Sequence, residues 1–330
     1  MGKTGSHLQP VVLREVPVPP APPPVPSSNV DRLSAAVEHP SLEVVRQAGP
    51  LVLLPMAALL FVPTEWPRWA LMWTLAVSVY AGCKWATWWP QRHRAAAPWR
   101  HAAYLLAWVG MDARAFLAHG VPEALRPRPF DWWFAAAKTA FGAALLAWAV
   151  GMGSNVPPLA RGWLGLVGIA MTLHFGLIDL LSLFWRRAGV FARPLMNWPP
   201  LARSLAGFWG RRWNTAFRDV VHQLVFRPLV GRTGGRAAMA AVFVVSGLVH
   251  DLVISISAGA AYGAPTLYFL IQAAAALLER AHWGVRLGLG HGWRGWAFTA
   301  CAVVAPLPLL FPEPFVLRVV VPMLDAMRIA

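Results

Sequence analysis

Charged residues and cysteines are both scarce in this sequence. Asp, Glu, Lys and Arg together make up 13% of the 330 residues, whereas a soluble globular domain carries about 25%. The two cysteines, Cys83 and Cys301, lie in or beside apolar runs, so they indicate neither a disulfide framework nor a metal site. Hydrophobic residues account for 57% of the chain, and the mean hydropathy is +0.50. This composition argues against an ordinary soluble domain and indicates a membrane protein.

Motifs of several classes of membrane enzyme are missing as well. No two of the 10 histidines are three or four residues apart, the spacing that membrane di-iron enzymes use for their metal. The sequence also has neither an Asp-rich prenyltransferase motif nor a GxSxG nucleophile elbow. We therefore expect no metal site and no bound cofactor.

Long apolar runs recur along the chain. A helix needs roughly 20 apolar residues to cross a bilayer, and candidate spans lie at about 49–63, 69–89, 132–152, 162–185, 237–258, 263–281 and 296–312. The shorter run 102–111 is expected to be re-entrant, interfacial or part of a tilted helix. Tryptophans gather at the ends of the runs, as in the aromatic belt of membrane proteins. The pattern predicts an all-α, polytopic transmembrane helical bundle of about 7–9 spans.

The first part of the chain differs from the rest. Residues 17–26 are rich in proline, a composition typical of disordered or polyproline segments. We therefore expect residues 1–45 to be a disordered N-terminal segment and residues 46–330 to form the membrane-embedded domain.

The cations indicate an orientation in the membrane. A net charge of +15 would suit nucleic acid, but the Arg and Lys residues concentrate in 84–101, 112–131, 186–236 and 280–294, between apolar runs. By the positive-inside rule these loops and the N-terminus face the cytoplasm, and nucleic acid is not an expected partner. The excess of Arg over Lys and the abundance of Ala point to a bacterial genome, hence to a bacterial cytoplasmic membrane.

The largest basic loop contains an amphipathic pattern. Apolar residues recur at spacings of three and four from Leu201 to Val225, with arginines between them. The pattern predicts a helix that lies in the membrane interface or packs on the bundle. It begins after the tandem Pro199-Pro200, and Pro228 is expected to end it.

Ionisable side chains inside apolar spans are costly and therefore suggest function. His250 follows 13 uncharged residues, 237–249; apolar surroundings disfavour the imidazolium form, so we expect a neutral ring suited to general-base catalysis. His174 and Asp179 match an H-x4-D acyltransferase pattern, but residues five apart on an α-helix point about 140° apart. We expect this pair to lock helices together, and Lys138 to extend to the membrane interface.

Two stretches resemble a known family. Residues 194–214 contain Ser204-Leu205 followed by Phe208-Trp209-Gly210-Arg211-Arg212-Trp213-Asn214, and residues 246–251 read Ser-Gly-Leu-Val-His-Asp. Both are similar to motifs of the wax synthase branch of the membrane-bound O-acyltransferases. The family often has Glu where this chain has Asp251.

The resemblance implies transfer of a fatty acyl group from acyl-CoA, as co-substrate, to the hydroxyl of a long-chain or other lipophilic alcohol. It implies His250 and Asn214 as catalytic residues. We expect Arg211 and Arg212 to bind CoA phosphates and Trp209 and Trp213 to line an acyl tunnel, with Ser246 and Asp251 also at the substrate site. Membrane lipids are the surrounding partners.

Two alternatives remain open from the residues. The acceptor hydroxyl can belong to a sterol, a glyceride or a secondary metabolite, since acceptor choice depends on tunnel shape. Buried His and Asp residues also occur in the proton relays of membrane transporters, although the paired repeats common in transporters are not evident here.

Overall fold

The computed structural model describes residues 40–152 and 156–329. The chain divides into two units, with the boundary between Glu43 and Val44. Most of the predicted N-terminal segment, residues 1–39, lies outside the described residues, and the first helix begins at Pro40.

The described residues are predominantly helical. The helices are α1 Pro40–Phe61, α2 Arg68–Trp88, α3 Pro98–Ala107, α4 Ala113–Leu117, α5 Pro129–Gly151, α6 Pro158–Ala170, α7 Ile178–Arg187, α8 Leu205–Gly207, α9 Thr215–Val221, α10 Arg227–His250, α11 Ile256–Ala258, α12 Ala264–Arg280, α13 His282–Leu287, α14 Gly292–Val304, α15 Leu307–Leu310, α16 Glu313–Phe315 and α17 Val321–Ile329. π-Helical turns join several of them, at Met171–Leu177, Phe208–Arg212, His222–Phe226, Asp251–Ser255 and Val316–Val320. Within 40–152 and 156–329, one isolated bridge between His119 and Val190 is the only β pairing. The all-α prediction is confirmed.

Five helical stretches are long and apolar enough to cross a membrane. They are Leu42–Phe61, Pro129–Gly151, Pro158–Arg187, Thr215–Ala258 and Gly292–Leu310, and each contains most or all of one predicted span. The chain is thus an integral membrane protein. Helices also form at the other two predicted spans, as α2 and α12, but α12 has only 17 residues and α2 carries Arg68 and Lys84. The count of seven to nine spans stays a prediction.

Neither the short apolar run 102–111 nor the C-terminal stretch 313–329 forms a long membrane helix. Residues 98–107 form the 10-residue helix α3, too short to cross alone, and Tyr104 on it is fully buried. The C-terminal stretch contains α16, a π-turn and α17, and its valines Val319 and Val320 are buried in the main core. Both segments pack against other parts of the unit.

The predicted amphipathic helix is interrupted, contrary to expectation. Its first part comprises α8 and the π-turn Phe208–Arg212, and its second part is α9. Between them Trp213 is extended and Asn214 is left-handed, with φ 39° and ψ 63°. Periodicity continues across the break because both parts bury one face, so the pattern alone does not reveal it. Pro228 does not end the helix but lies in the first turn of α10, where its missing N–H is tolerated.

A partly buried ion pair involves two ionisable residues of the predicted spans. The Nζ atom of Lys138 lies 2.5 Å from Asp179 Oδ2 and joins α5 to α7, whereas its extension to the membrane interface stays a prediction. Asp179 therefore locks helices together as predicted, but its partner is Lys138 and not His174. The Nδ1 atom of His174 is buried and has no hydrogen-bond partner among the described residues.

Candidate active site

His250 is the last residue of α10, and its ring orientation is set by its own helix. Nδ1 lies 2.7 Å from the carbonyl oxygen of Ser246, one turn earlier. A carbonyl oxygen only accepts hydrogen bonds, so Nδ1 carries the proton and Nε2 is the unprotonated nitrogen of the neutral ring. Among the described residues Nε2 has no hydrogen-bond partner. The geometry leaves this nitrogen able to accept a proton from a substrate.

Aromatic rings surround the imidazole. The Phe269 ring centroid lies 4.6 Å from that of His250, and Phe217 meets the imidazole edge-on at 6.3 Å. The Trp209 ring also contacts Phe269, and the centroids of these two rings are 5.7 Å apart. His250 is partly buried, in surroundings with few groups that would stabilise an imidazolium.

Asp251, the residue after His250, is fully engaged in the protein. Oδ1 accepts from the Ser255 hydroxyl at 2.6 Å and from the Gly263 amide at 2.9 Å. Oδ2 accepts from the amide of Thr266 at 3.0 Å and from its hydroxyl. The carboxylate thus ties the end of α10 to the start of α12, and a contact with substrate stays a prediction.

Asn214 is linked to His250 indirectly, through contacts of both residues with Phe217. Its Oδ1 accepts from the backbone amide of Phe217 at 3.2 Å and caps α9, while the Phe217 ring contacts the imidazole. The left-handed conformation that this cap requires is one that Asn adopts more readily than most residues. No hydrogen bond joins Asn214 directly to His250 among the described residues. Because Oδ1 is occupied by the cap, Nδ2 is the atom of this side chain left for a ligand.

One face of α12 connects the two family motifs. Phe269, Gln272, Ala276 and Glu279 are all buried and follow one another at helical spacings of three and four. Phe269 contacts His250, Gln272 Oε1 accepts from Trp209 Nε1 at 3.3 Å, and Glu279 Oε2 accepts from the Leu205 amide at 2.6 Å. Sequence reasoning missed these three residues. For Gln272 and Glu279 a signal was present in the sequence, because they are isolated polar residues within the apolar run 263–281.

Arginines line a large cavity near the C-terminal end of α12. The cavity measures about 1100 Å³, and its polar lining includes Arg203, Ser204, Arg211, Arg212, Glu279, Arg280 and His291. Arg212 donates to the carbonyl oxygens of Asn197 and Trp198 at 3.0 and 3.1 Å. The guanidinium groups of Arg203 and Arg211 form no hydrogen bond within the part of the chain that the structure describes. The cavity therefore offers cationic donors to an anion.

His250 and Asn214 do not line this cavity. Along α12, the turn that contacts His250 and the turn that lines the cavity are ten residues apart, about 15 Å at 1.5 Å per residue. Two predicted site residues remain, Trp213 and Ser246. Trp213 stacks on Phe208 at 5.7 Å and meets Phe175 at 6.0 Å, and the buried Ser246 donates its hydroxyl to the Val242 carbonyl at 2.8 Å.

Comparison with known proteins bears on the same segment. Residues 192–271 match the family model described as Membrane bound O-acyl transferase family. Probable long-chain-alcohol O-fatty-acyltransferase 2 of Arabidopsis thaliana is 44% identical over 73 residues, which is 20% of this chain and 21% of that protein. Long-chain-alcohol O-fatty-acyltransferase of Simmondsia chinensis is 38% identical over 73 residues, 19% of this chain and 20% of that protein.

A relative with a different acceptor in its name is also similar. Acyl-CoA–sterol O-acyltransferase 1 of Arabidopsis thaliana is 37% identical over 67 residues, 18% of this chain and 19% of that protein. The similarity to these three proteins thus spans about a fifth of their length. Over the segment that carries the candidate site, the chain resembles the wax synthase branch of the membrane-bound O-acyltransferase family, as its motifs predict.

Proposed function

We propose that the protein is an acyl-CoA-dependent O-acyltransferase that moves a fatty acyl group to the hydroxyl of a lipophilic alcohol and forms a wax-type ester. The observation that supports this most is the hydrogen bond from His250 Nδ1 to the Ser246 carbonyl. It selects the tautomer in which Nε2 accepts a proton, and it does so within a motif similar to one of acyltransferases.

The reaction needs a base more than it needs further activation of the acyl donor, because a thioester is already reactive. Nε2 of His250 removes the hydroxyl proton as the alcohol oxygen attacks the thioester carbon. The tetrahedral oxyanion then collapses, the carbon–sulfur bond breaks, and the imidazolium returns its proton to the departing thiolate. The products are the ester and free CoA, and His250 is again neutral.

Asn214 supplies a donor near the base in this proposal. With Oδ1 engaged at the Phe217 amide, Nδ2 donates to the developing oxyanion or orients the hydroxyl. A single donor of this kind contributes ~3 kcal/mol to transition-state stabilisation in other enzymes. Asp251 and Ser246 support the arrangement through the backbone, by holding α12 and the imidazole.

The arginine-lined cavity suits the phosphates of CoA. Guanidinium groups bind phosphate oxygens in a fixed fork geometry, and Arg211 and Arg212 line the cavity together with Arg203 and Arg280. CoA carries its phosphates at one end of an extended arm and the thioester at the other. A site with cations about 15 Å from the base along α12 has that same polarity. Trp209 and Trp213, with their aromatic neighbours, wall the acyl chain.

The proposed orientation follows from the same cations. The cavity belongs to the basic loops assigned to the cytoplasm, where CoA is found, so CoA enters from that side and the alcohol arrives from the bilayer. We propose a bacterial cytoplasmic membrane as the location, with the N-terminus in the cytoplasm.

Purified protein tests the proposal directly. Labelled acyl-CoA and hexadecanol are supplied in detergent, and both ester and free CoA are measured. His250→Ala should lower the rate by about 10²–10⁴-fold, the usual contribution of a general base, whereas His93→Ala, at an exposed histidine, should match the wild type. Ester formation that survives in His250→Ala would refute the role of that residue. Absence of free CoA from the wild type would favour the transporter alternative.

A sterol acceptor is the second candidate. The similarity to the sterol O-acyltransferase of Arabidopsis thaliana supports it, and the chemistry at His250 is unchanged. Competition between hexadecanol and a sterol for one pool of acyl-CoA distinguishes the two, since the preferred acceptor dominates the ester products.

A further inference from the structure

Glu279 joins the two halves of the candidate site at a point outside both family motifs. It lies in the last turn of α12, is 7% exposed, and its Oε2 accepts the backbone amide of Leu205 at 2.6 Å. The two residues are 74 positions apart in the chain.

The amide that Glu279 holds begins the segment that carries the arginines. Leu205 is the first residue of α8, and the first amides of a helix lack partners within it. The Ser204 hydroxyl satisfies the Gly207 amide at 2.9 Å, and Glu279 satisfies Leu205 from a neighbouring helix. Residues 208–212 follow as one π-helical turn, so the position of Arg211 and Arg212 depends on how this start is held.

The carboxylate is used for the backbone and not for an ion pair. Glu279 lines the cavity with four arginines, yet none of the ion pairs between described residues includes it. Arg211 and its neighbours therefore keep their charges for a ligand. The same face of α12 contacts His250 through Phe269, so the hydrogen bond at Glu279 also sets the distance from the arginines to the imidazole.

We infer that Glu279 is a positioning residue for acyl-donor binding: through the Leu205 amide it holds residues 205–212 against α12, which places the arginines of the cavity relative to His250. The inference rests on the proposed function, because it assumes that the cavity takes the phosphates of CoA. In this inference the position of the acceptor oxygen of Glu279 holds the Leu205 amide, and the charge of the carboxylate is secondary.

Two conservative substitutions separate reach from charge. Glu279→Gln keeps the side-chain length and an acceptor oxygen but removes the charge. Glu279→Asp keeps the charge but withdraws the acceptor by one methylene. The inference predicts that Glu279→Gln keeps the KM for palmitoyl-CoA within about threefold of wild type, whereas Glu279→Asp raises it about tenfold, a loss typical of one hydrogen bond. In both variants kcat and the KM for hexadecanol stay within about twofold.

Glu123→Ala is the matched control, because Glu123 is an exposed glutamate, with 88% of its side chain accessible, outside the cavity. It should leave all three constants unchanged. Thermal unfolding of each purified variant accompanies the kinetics and shows that the Gln and Asp variants are folded. Normal constants for Glu279→Asp with a raised KM for Glu279→Gln would overturn the inference in favour of charge, and equal effects on kcat and both KM values would show a general structural role.

Binding of CoA alone separates this inference from the proposed function. Calorimetric titration of the wild type and of Glu279→Asp with CoA should show about tenfold weaker binding in the variant. Ester formation by the wild type with unaltered CoA binding in Glu279→Asp overturns the inference alone. A wild type that binds CoA but makes no ester with any alcohol overturns the proposed function, and one that does not bind CoA overturns both.

Discussion

Asp251 accepts a hydrogen bond from the backbone amide of Thr266 at 3.0 Å, so the residue next to the candidate base holds the start of the neighbouring helix. The two helices that meet here, α10 and α12, carry His250 and its aromatic partner Phe269. The ring of His250 is therefore positioned by its own helix at Ser246 and by the contact between helices at Asp251. Stability and activity are expected to depend on the same carboxylate.

Asp251→Ala should destabilise the protein and lower its activity together. The substitution leaves the amides of Gly263 and Thr266 without their acceptor, and a lost hydrogen bond to a charged group costs about 1.5–3 kcal/mol. Thermal unfolding in detergent and the rate of ester formation measure the two effects. Glu65→Ala, at an exposed carboxylate, serves as the control, and an unchanged Tm for Asp251→Ala would contradict the prediction.

Asn214→Asp should separate the helix cap from the chemistry. Aspartate keeps the oxygen that accepts from the Phe217 amide and is among the residues that tolerate left-handed backbone, but it has no Nδ2 donor. We expect a Tm close to wild type and a kcat about 10²–10³-fold lower, the effect of removing an oxyanion donor. Asn214→Gly, which suits the backbone but lacks both cap and donor, should lose stability as well. An Asn214→Asp variant with normal kcat would assign Asn214 to the cap alone.

Gly247→Ala should disturb the contact of α10 with α12. A β-carbon at this position would lie 2.7 Å from the Thr266 Cα, too close for backbone atoms, so the helices must separate. Overpacking of this kind costs about 1–3 kcal/mol, and the shift also reaches His250 three residues later. Thermal unfolding and ester formation test it. Gly231→Ala is the matched control, since no atom lies within 4 Å of a β-carbon there; equal Tm values for the two variants would refute the close approach.

The pair of Lys138 and Asp179 should behave as a helix lock. The side chains of both residues are 18% accessible, and removing one partner of a partly buried pair leaves an uncompensated charge, at a cost below the roughly 3–5 kcal/mol of a fully buried pair. Asp179→Asn and Lys138→Met should each lower the Tm. The double variant should recover much of the loss, because it buries no unpaired charge. Additive losses in the double variant would show that the two side chains do not interact.

The helices and most of the spans are predictable because their signals are local. A membrane span needs only to be long and apolar, and the runs around 132–152 and 162–185 meet both conditions. They form α5 and the continuous stretch Pro158–Arg187, respectively. The break between Trp213 and Asn214 is different. Both sides of the break bury apolar residues at helical spacing, so the pattern predicts one helix. Only the hydrogen bond from the Phe217 amide to Asn214, which caps α9, shows why the chain turns there.

For the candidate site, the sequence predicts the residues but not the contacts that hold them in place. His250 stands out as the ionisable residue that ends a long apolar run, and the motif around Asn214 resembles a known family. Lys138 lies near the start of a predicted span, which suggests a side chain that extends to the membrane interface. Its partner Asp179 is 41 residues away, and no local pattern in the sequence predicts that pairing.

By itself the sequence determined that this protein is helical and that it lies in a membrane, and it predicts two motifs for the candidate site, because hydrophobic periodicity and motif spacing are properties of neighbouring residues. Only the tertiary structure decided that Phe269 packs on the ring of His250, that Asp251 binds the start of α12, and that Glu279 holds Leu205. These contacts depend on how distant helices pack, and packing chooses the partner of each buried polar group.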